Sequence, residues 1–152
     1  MIKSSFVQAG EIRLEYFHHG SGPEVIVLVH GYISSGRIWS LTQERLDANW
    51  FRTIAINNRG AGGSDRAGDE EAHTIASFAA DLWAAVRALE LSHFTLVGHS
   101  LGGATAACFA LDHPEQLKAL VLLDPVPLDG IPLEPGWREQ VLARARSGRA
   151  HV

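Results

Sequence analysis

Sulfur is scarce in this sequence: one cysteine, Cys108, and one methionine among 152 residues. A lone cysteine closes no internal disulfide, so the fold is not a disulfide scaffold. That absence fits a cytoplasmic protein with a buried thiol, and nothing around Cys108 points to a depressed thiol pKa. Long apolar runs are also missing. None approaches the roughly 18–20 residues that a membrane helix needs. No apolar core follows residues 1–5, so the expectation is a cytoplasmic chain with no membrane partner. Basic residues do not dominate, with 13 Lys and Arg against 17 Asp and Glu, for a net charge of −4. Both signs are scattered, and without a basic stripe a nucleic acid is not an expected partner. Neither a Gly-Lys-Ser/Thr run nor a Gly-x-Gly-x-x-Gly run occurs, which removes the usual phosphate cradles. There is no repeat and no low-complexity tract.

What is present is a core. Apolar residues make up 46% of the chain, enough for one domain. Phe6-Val7 and residues 12–17 alternate apolar and polar around Gly10, which predicts an edge hairpin. Residues 25–29 are wholly apolar and mostly β-branched, as in a strand buried on both faces. Strands are also expected at 51–56, 94–97 and 117–123. Helical spacing is read at 38–46, 75–89 and 101–111, the last stopped before Pro114. Six strands alternating with helices predict an α/β fold, a mostly parallel sheet covered on both faces. From Pro125 the prolines at 125, 127, 132 and 135 break regular structure. Residues 137–146 then have helical composition with little to bury.

The run Gly98-His99-Ser100-Leu101-Gly102 carries the chemistry. Chance placement of the glycines and serines gives about 0.1 such runs, so the spacing alone is only moderately informative. Its context is informative: it joins a strand to a helix. A sharp turn there exposes the Ser100 hydroxyl, and the flanking glycines let backbone approach without Cβ clashes. The helix N-terminus favours developing negative charge. The competing reading is a glycine-rich turn with a structural serine.

Two further runs sharpen the pattern: His30-Gly31-Tyr32 after the strand at 25–29, and residues 57–65, Asn-Asn-Arg-Gly-Ala-Gly-Gly-Ser-Asp. With the Ser100 turn, they resemble the N-terminal part of the α/β-hydrolase superfamily, in its serine esterase-like branch. The resemblance implies that Ser100 is the nucleophile and that the backbone N–H groups of Tyr32 and Leu101 form the oxyanion hole. It implies that His30, Gly31 and His99 shape the substrate pocket, with His30 ordering the turn rather than moving a proton. It departs at Asn57, where the family's Asp-x-Arg-Gly-x-Gly-x-Ser loop has its aspartate. No metal and no cofactor are implied. A serine at the elbow argues against the dehalogenase and epoxide hydrolase branches, where an aspartate sits.

A serine hydrolase also needs a histidine and an acid to orient it. Only His113 and His151 follow Ser100. His113 is separated from it by a helix, more than about 15 Å at 1.5 Å per residue, and His151 follows no strand. Asp124, at the end of the strand over 117–123, is the candidate acid, or else a structural residue holding the loop to Pro125.

The expectation is therefore a partial α/β-hydrolase core over residues 1–124 and the start of a cap over 125–152. The last two strands, the rest of the cap and the catalytic histidine would lie outside this chain. The function expected is hydrolysis of an ester-like small molecule at its acyl carbon. The alternatives are an inactive domain that binds a ligand or partner, and a cofactor-independent lyase or haloperoxidase on the same scaffold. The strand over 117–123 is expected to pair with a C-terminal fragment or another copy.

Overall fold

The computed structural model describes residues 1–66, 72–127, 135, 136, 139 and 143. The helix expected over 137–146 lies outside them except at Glu139 and Ala143, both helical; His151 lies outside them too.

Six strands form one sheet in the order β1-β2-β4-β3-β5-β6. They are β1 (Lys3–Ala9), β2 (Ile12–His19), β3 (Glu24–Val29), β4 (Phe51–Ile56), β5 (Phe94–His99) and β6 (Leu117–Leu123). β1 and β2 form the antiparallel edge hairpin, turning at Gly10 with φ +64°. β3, β4, β5 and β6 run parallel. The helices are α1 (Ser40–Arg45), α2 (Ile75–Ala88) and α3 (Leu101–Asp112). The sheet is thus mostly parallel with helices on both faces, as expected from the alternation of strand and helix.

Side chains on successive strand positions point to opposite faces. Val27, Val29, Ile54, Ile56 and Leu96 pack with Leu82, Ala85 and Val86 of α2 and Phe109 of α3. Leu28 and Ala55 point the other way, onto Phe17 and Trp39. Each large side chain buried this way contributes about 1.5–3 kcal/mol. α3 buries Gly102, Gly103, Ala104, Thr105 and Ala106. With so little side-chain bulk it lies directly against the carboxyl end of β3.

The helix expected over 38–46 is divided. A 3-10 turn at Gly36–Trp39 precedes α1. Its apolar residues do not share one buried face: Trp39 turns inward, while Ile38 and Leu41 are exposed. Gln43 is the residue of α1 that is buried, its amide donating to the Phe17 carbonyl at 3.1 Å and the Thr53 hydroxyl at 3.0 Å.

β6 is the outer strand. Leu120, Val121, Leu122 and Leu123 remain 37–42% exposed. Cys108 is half-buried rather than buried; desolvation, then the nearby charge of Asp112, push its thiol pKa up.

Candidate active site

At the carboxyl end of β5 the chain turns abruptly into α3, and Ser100 is the turn. It has φ +54° and ψ −118°, a conformation costing about 1–3 kcal/mol for a residue with a Cβ. Glycines around it are required by space. A Cβ on Gly98 would collide with the Gly102 carbonyl, and one on Gly102 would stand 2.5 Å from the His30 carbonyl oxygen. A Cβ on Gly103 would meet Pro125 at 2.7 Å. The elbow is thus wedged between the β3 turn and the loop after β6.

Main-chain hydrogen bonds fix Ser100 on both sides. Its N–H donates to the Leu123 carbonyl at 3.1 Å, and its own carbonyl accepts from Val126 N–H at 3.1 Å. The same carbonyl takes Gly103 N–H at 2.9 Å and Ala104 N–H at 3.2 Å, starting α3. Leu101 N–H lies in the first helical turn, where no intrahelical acceptor is available.

The His30-Gly31-Tyr32 turn faces the elbow. A Cβ on Gly31 would lie 3.0 Å from Ser100 Cβ and 3.1 Å from His99 Nδ1. His30 is buried. Its Nε2 accepts from Asn58 N–H at 3.1 Å, so its Nδ1 carries the proton and donates to the Gly31 carbonyl at 2.8 Å. Desolvation holds its pKa below 6.5, against the opposing hydrogen bond to Gly31. Both ring nitrogens are used by backbone, so His30 is a neutral strut. Tyr32 projects its ring into solvent. His99 packs beside Gly31 with a buried Nδ1 that has no partner among the described residues.

Asp124 follows β6, where Leu123 is the register partner of His99. It adopts φ +47°, and the hydrogen bonds of Leu123 and Val126 to Ser100 bracket it. The structure thus places Asp124 beside the elbow. Its carboxylate is exposed and has no hydrogen-bond partner among the described residues. His113 caps the far end of α3, about 18 Å along by its 12 residues at 1.5 Å each. There it stacks on Trp83 at 3.9 Å. Among the described residues no histidine hydrogen-bonds the Ser100 hydroxyl.

The loop at 57–65 supports this end of the sheet. Arg59 grips Asp81 of α2 through Nε and Nη2, both at 2.6 Å, and its Nη1 donates to the Ala72 carbonyl at 3.0 Å. Ser64 Oγ donates to the Asn57 carbonyl at 3.0 Å and accepts Glu15 N–H at 2.9 Å. Asn57 does not leave an interaction vacant. Its amide donates to Glu15 at 2.7 Å and its oxygen accepts Gly36 N–H at 2.6 Å. Glu15 escaped the sequence reading; the signal available was an amide where the family has a carboxylate.

A family model described as the alpha/beta hydrolase fold matches residues 24–150. A fluoroacetate dehalogenase from a Burkholderia species is 33% identical over 124 residues, covering 80% of this chain and 40% of that protein. An N-formylmaleamate deformylase from Pseudomonas putida is 36% identical over 132 residues, 87% of this chain and 47% of that one. The crystal structure of an epoxide hydrolase from Vigna radiata superposes with a TM-score of 0.78 at 25% identity, over 97% of this chain and 46% of that one. The chain spans less than half the length of these three. Among the described residues no helix is long and apolar enough to cross a membrane.

Proposed function

The chain belongs to the α/β-hydrolase fold family, and we propose that it is the nucleophile-bearing part of a serine hydrolase acting on an ester or related acyl carbon. The observation that carries this reading is Ser100 at positive φ between β5 and α3, facing the Gly31 turn. Ser100 Oγ attacks the acyl carbon, and the Tyr32 and Leu101 N–H groups hold the oxyanion. The hydroxyl proton passes to a histidine outside this chain, which returns it to the departing alcohol or amine. Water then releases the acid from Ser100. Asp124, beside the elbow, is the acid that orients that histidine in this reading. His30, Gly31 and His99 shape the floor of the pocket.

Among the relatives, the deformylase by its name acts on an N-formyl group, which is an acyl carbon. The dehalogenase and epoxide hydrolase likenesses favour other chemistry, but Ser100 stands where the family resemblance puts an aspartate in those branches. The outer edge of β6 completes the reading. Its exposed Leu120–Leu123 stretch pairs with a complementary C-terminal segment or with another copy.

A fluorophosphonate probe tests the proposal. The chain and its Ser100→Ala variant are treated with the probe, alone and with the C-terminal half of a relative's fold added. Labelling of Ser100 that accelerates on addition supports a serine hydrolase completed from outside. No labelling under either condition favours a ligand-binding domain. The lack of any histidine bonded to Ser100 among the described residues speaks for that second reading.

A further inference from the structure

We propose that Asn57 and Glu15 are positioning residues for the oxyanion turn: the Glu15 carboxylate orients the Asn57 amide, which holds Gly36 and so sets where Tyr32 N–H stands opposite Ser100. The proposal rests on Ser100 being the nucleophile.

Glu15, on the edge hairpin, accepts three donors. Ser4 Oγ reaches Oε1 at 2.8 Å, while Gly63 N–H at 2.8 Å and Asn57 Nδ2 at 2.7 Å share Oε2. Arg37 is the cation that faces it. Desolvation alone would push its pKa up; these hydrogen bonds and the Arg37 charge outweigh it and hold the group below 4.5. An anionic carboxylate accepts only, so the Asn57 NH2 must face it. The Asn57 oxygen therefore faces the other way, onto Gly36 N–H at 2.6 Å. A flipped amide would set NH2 against N–H and oxygen against carboxylate, losing both bonds. Asn57 is fully buried, so no water compensates. Gly62, at φ +52°, makes room: a Cβ there would strike Asn57 Nδ2 and lie 2.8 Å from Glu15 Oε2.

Adjacent residues thus grip the two ends of one turn. Asn58 N–H holds His30, whose ring holds the Gly31 carbonyl; Asn57 holds Gly36. Between those points Tyr32 and Ile33 are 62% and 85% exposed, and Ile33 has φ +49°. Nothing buried fixes Tyr32 directly. Its place follows from the two anchors, one of which is set by a carboxylate on the far edge hairpin. An aspartate at 57 could accept Gly36 N–H but could not donate to Glu15, and would place two carboxylates in contact. One would then hold a proton at neutral pH or the turn would shift.

The test uses amide NMR of the full chain together with Ser100 labelling in the presence of the C-terminal half of a relative's fold. In the wild type the Gly36 and Tyr32 amide shifts should titrate together, with a midpoint below 4.5. In Glu15→Gln that titration should vanish. In Asn57→Asp both amides should move, and titrate at higher pH as the new carboxylate shares a proton with Glu15. Fluorophosphonate labelling of Asn57→Asp at neutral pH should fall at least about tenfold. If Asn57→Asp fails to fold, Ser4→Ala removes one donor from Glu15 and should still shift the Gly36 amide. Unmoved Gly36 and Tyr32 amides in Glu15→Gln and Ser4→Ala overturn the proposal, as does wild-type labelling of a folded Asn57→Asp. A wild type left unlabelled even with the C-terminal half of a relative's fold added would sink the nucleophile reading alone. The amide shifts would still decide whether Glu15 and Asn57 set the turn.

Discussion

Gly31 and Ser100 lie so close that a methyl group on Gly31 would stand 3.0 Å from Ser100 Cβ. The two residues are separated by 69 positions in the chain and brought together by the pairing of β3 with β5, Val29 opposite Gly98. Gly31→Ala therefore pushes the proposed oxyanion turn away from Ser100. Ser100 labelling should drop by about a hundredfold, the loss expected for one oxyanion donor. The fold should survive, with a cost of about 1–3 kcal/mol for the crowding. Labelling kinetics beside a urea melt separate the two effects, and an unchanged rate would remove Tyr32 from the oxyanion site.

Ser100 is held at positive φ, which glycine adopts without strain. Ser100→Gly should raise stability by about 1 kcal/mol while abolishing labelling. Ser100→Ala should abolish labelling without that gain. Equal melting curves for the two variants would show that the elbow stores no strain.

Removing Asp81 takes the bidentate carboxylate from Arg59, whose side chain is 14% exposed. Asp81→Ala should cost about 3–5 kcal/mol, read as a lowered urea midpoint. Arg59→Lys keeps the charge but loses the two-pronged grip, and should also melt early. A midpoint within error of wild type for Asp81→Ala would mean that this pair does not hold the 57–65 loop to α2.

Acid should destabilise the chain in two stages. Burial keeps His30 below 6.5 in the fold, so the unfolded chain binds more protons once pH drops under that value. Stability is full above it and falls as pH decreases toward the folded pKa. Glu15, held below 4.5, adds stability above its unfolded pKa that is lost as pH falls through the folded one. Urea midpoints measured from about pH 8 down to about pH 5 should show the first stage, and His30→Gln should reduce it, leaving the part due to His18, whose pKa burial and the Lys3 and Arg52 charges also lower. A wild type whose midpoint does not change over that interval would contradict the neutral, buried ring.

A lysine at Val121 should block pairing along β6. The wild-type chain should self-associate in gel filtration, and Val121→Lys should shift it toward the monomer. A wild type that elutes as a monomer at every concentration would leave the edge unpartnered by its own kind.

The α/β alternation, the edge hairpin and the strand-to-helix turn at Ser100 were all legible in the order of residues. Each is a local matter: period-2 and period-3.6 patterning, glycine spacing, and apolar runs too short for helices. The divided segment at 36–45 was not legible, because its apolar residues at 38 and 41 face solvent and only packing against β2, β3 and β4 selects Trp39. Asn57 read in isolation was a departure; beside Glu15 it is a match of donor to acceptor.

By itself the sequence determined which residues could form the elbow and that Ser100 sits at its apex, since backbone conformation there depends on near neighbours. Tertiary structure decided what surrounds it: that His30 is a strut with both nitrogens spent, that Asp124 is tethered beside Ser100 by main-chain bonds, and that Glu15 governs the amide at 57. Apart from the His30–Gly31 bond, those are facts of hydrogen-bond partnership between residues 23 to 42 positions apart. No local pattern encodes them, because a donor's partner is fixed only when the sheet order brings the two strands together.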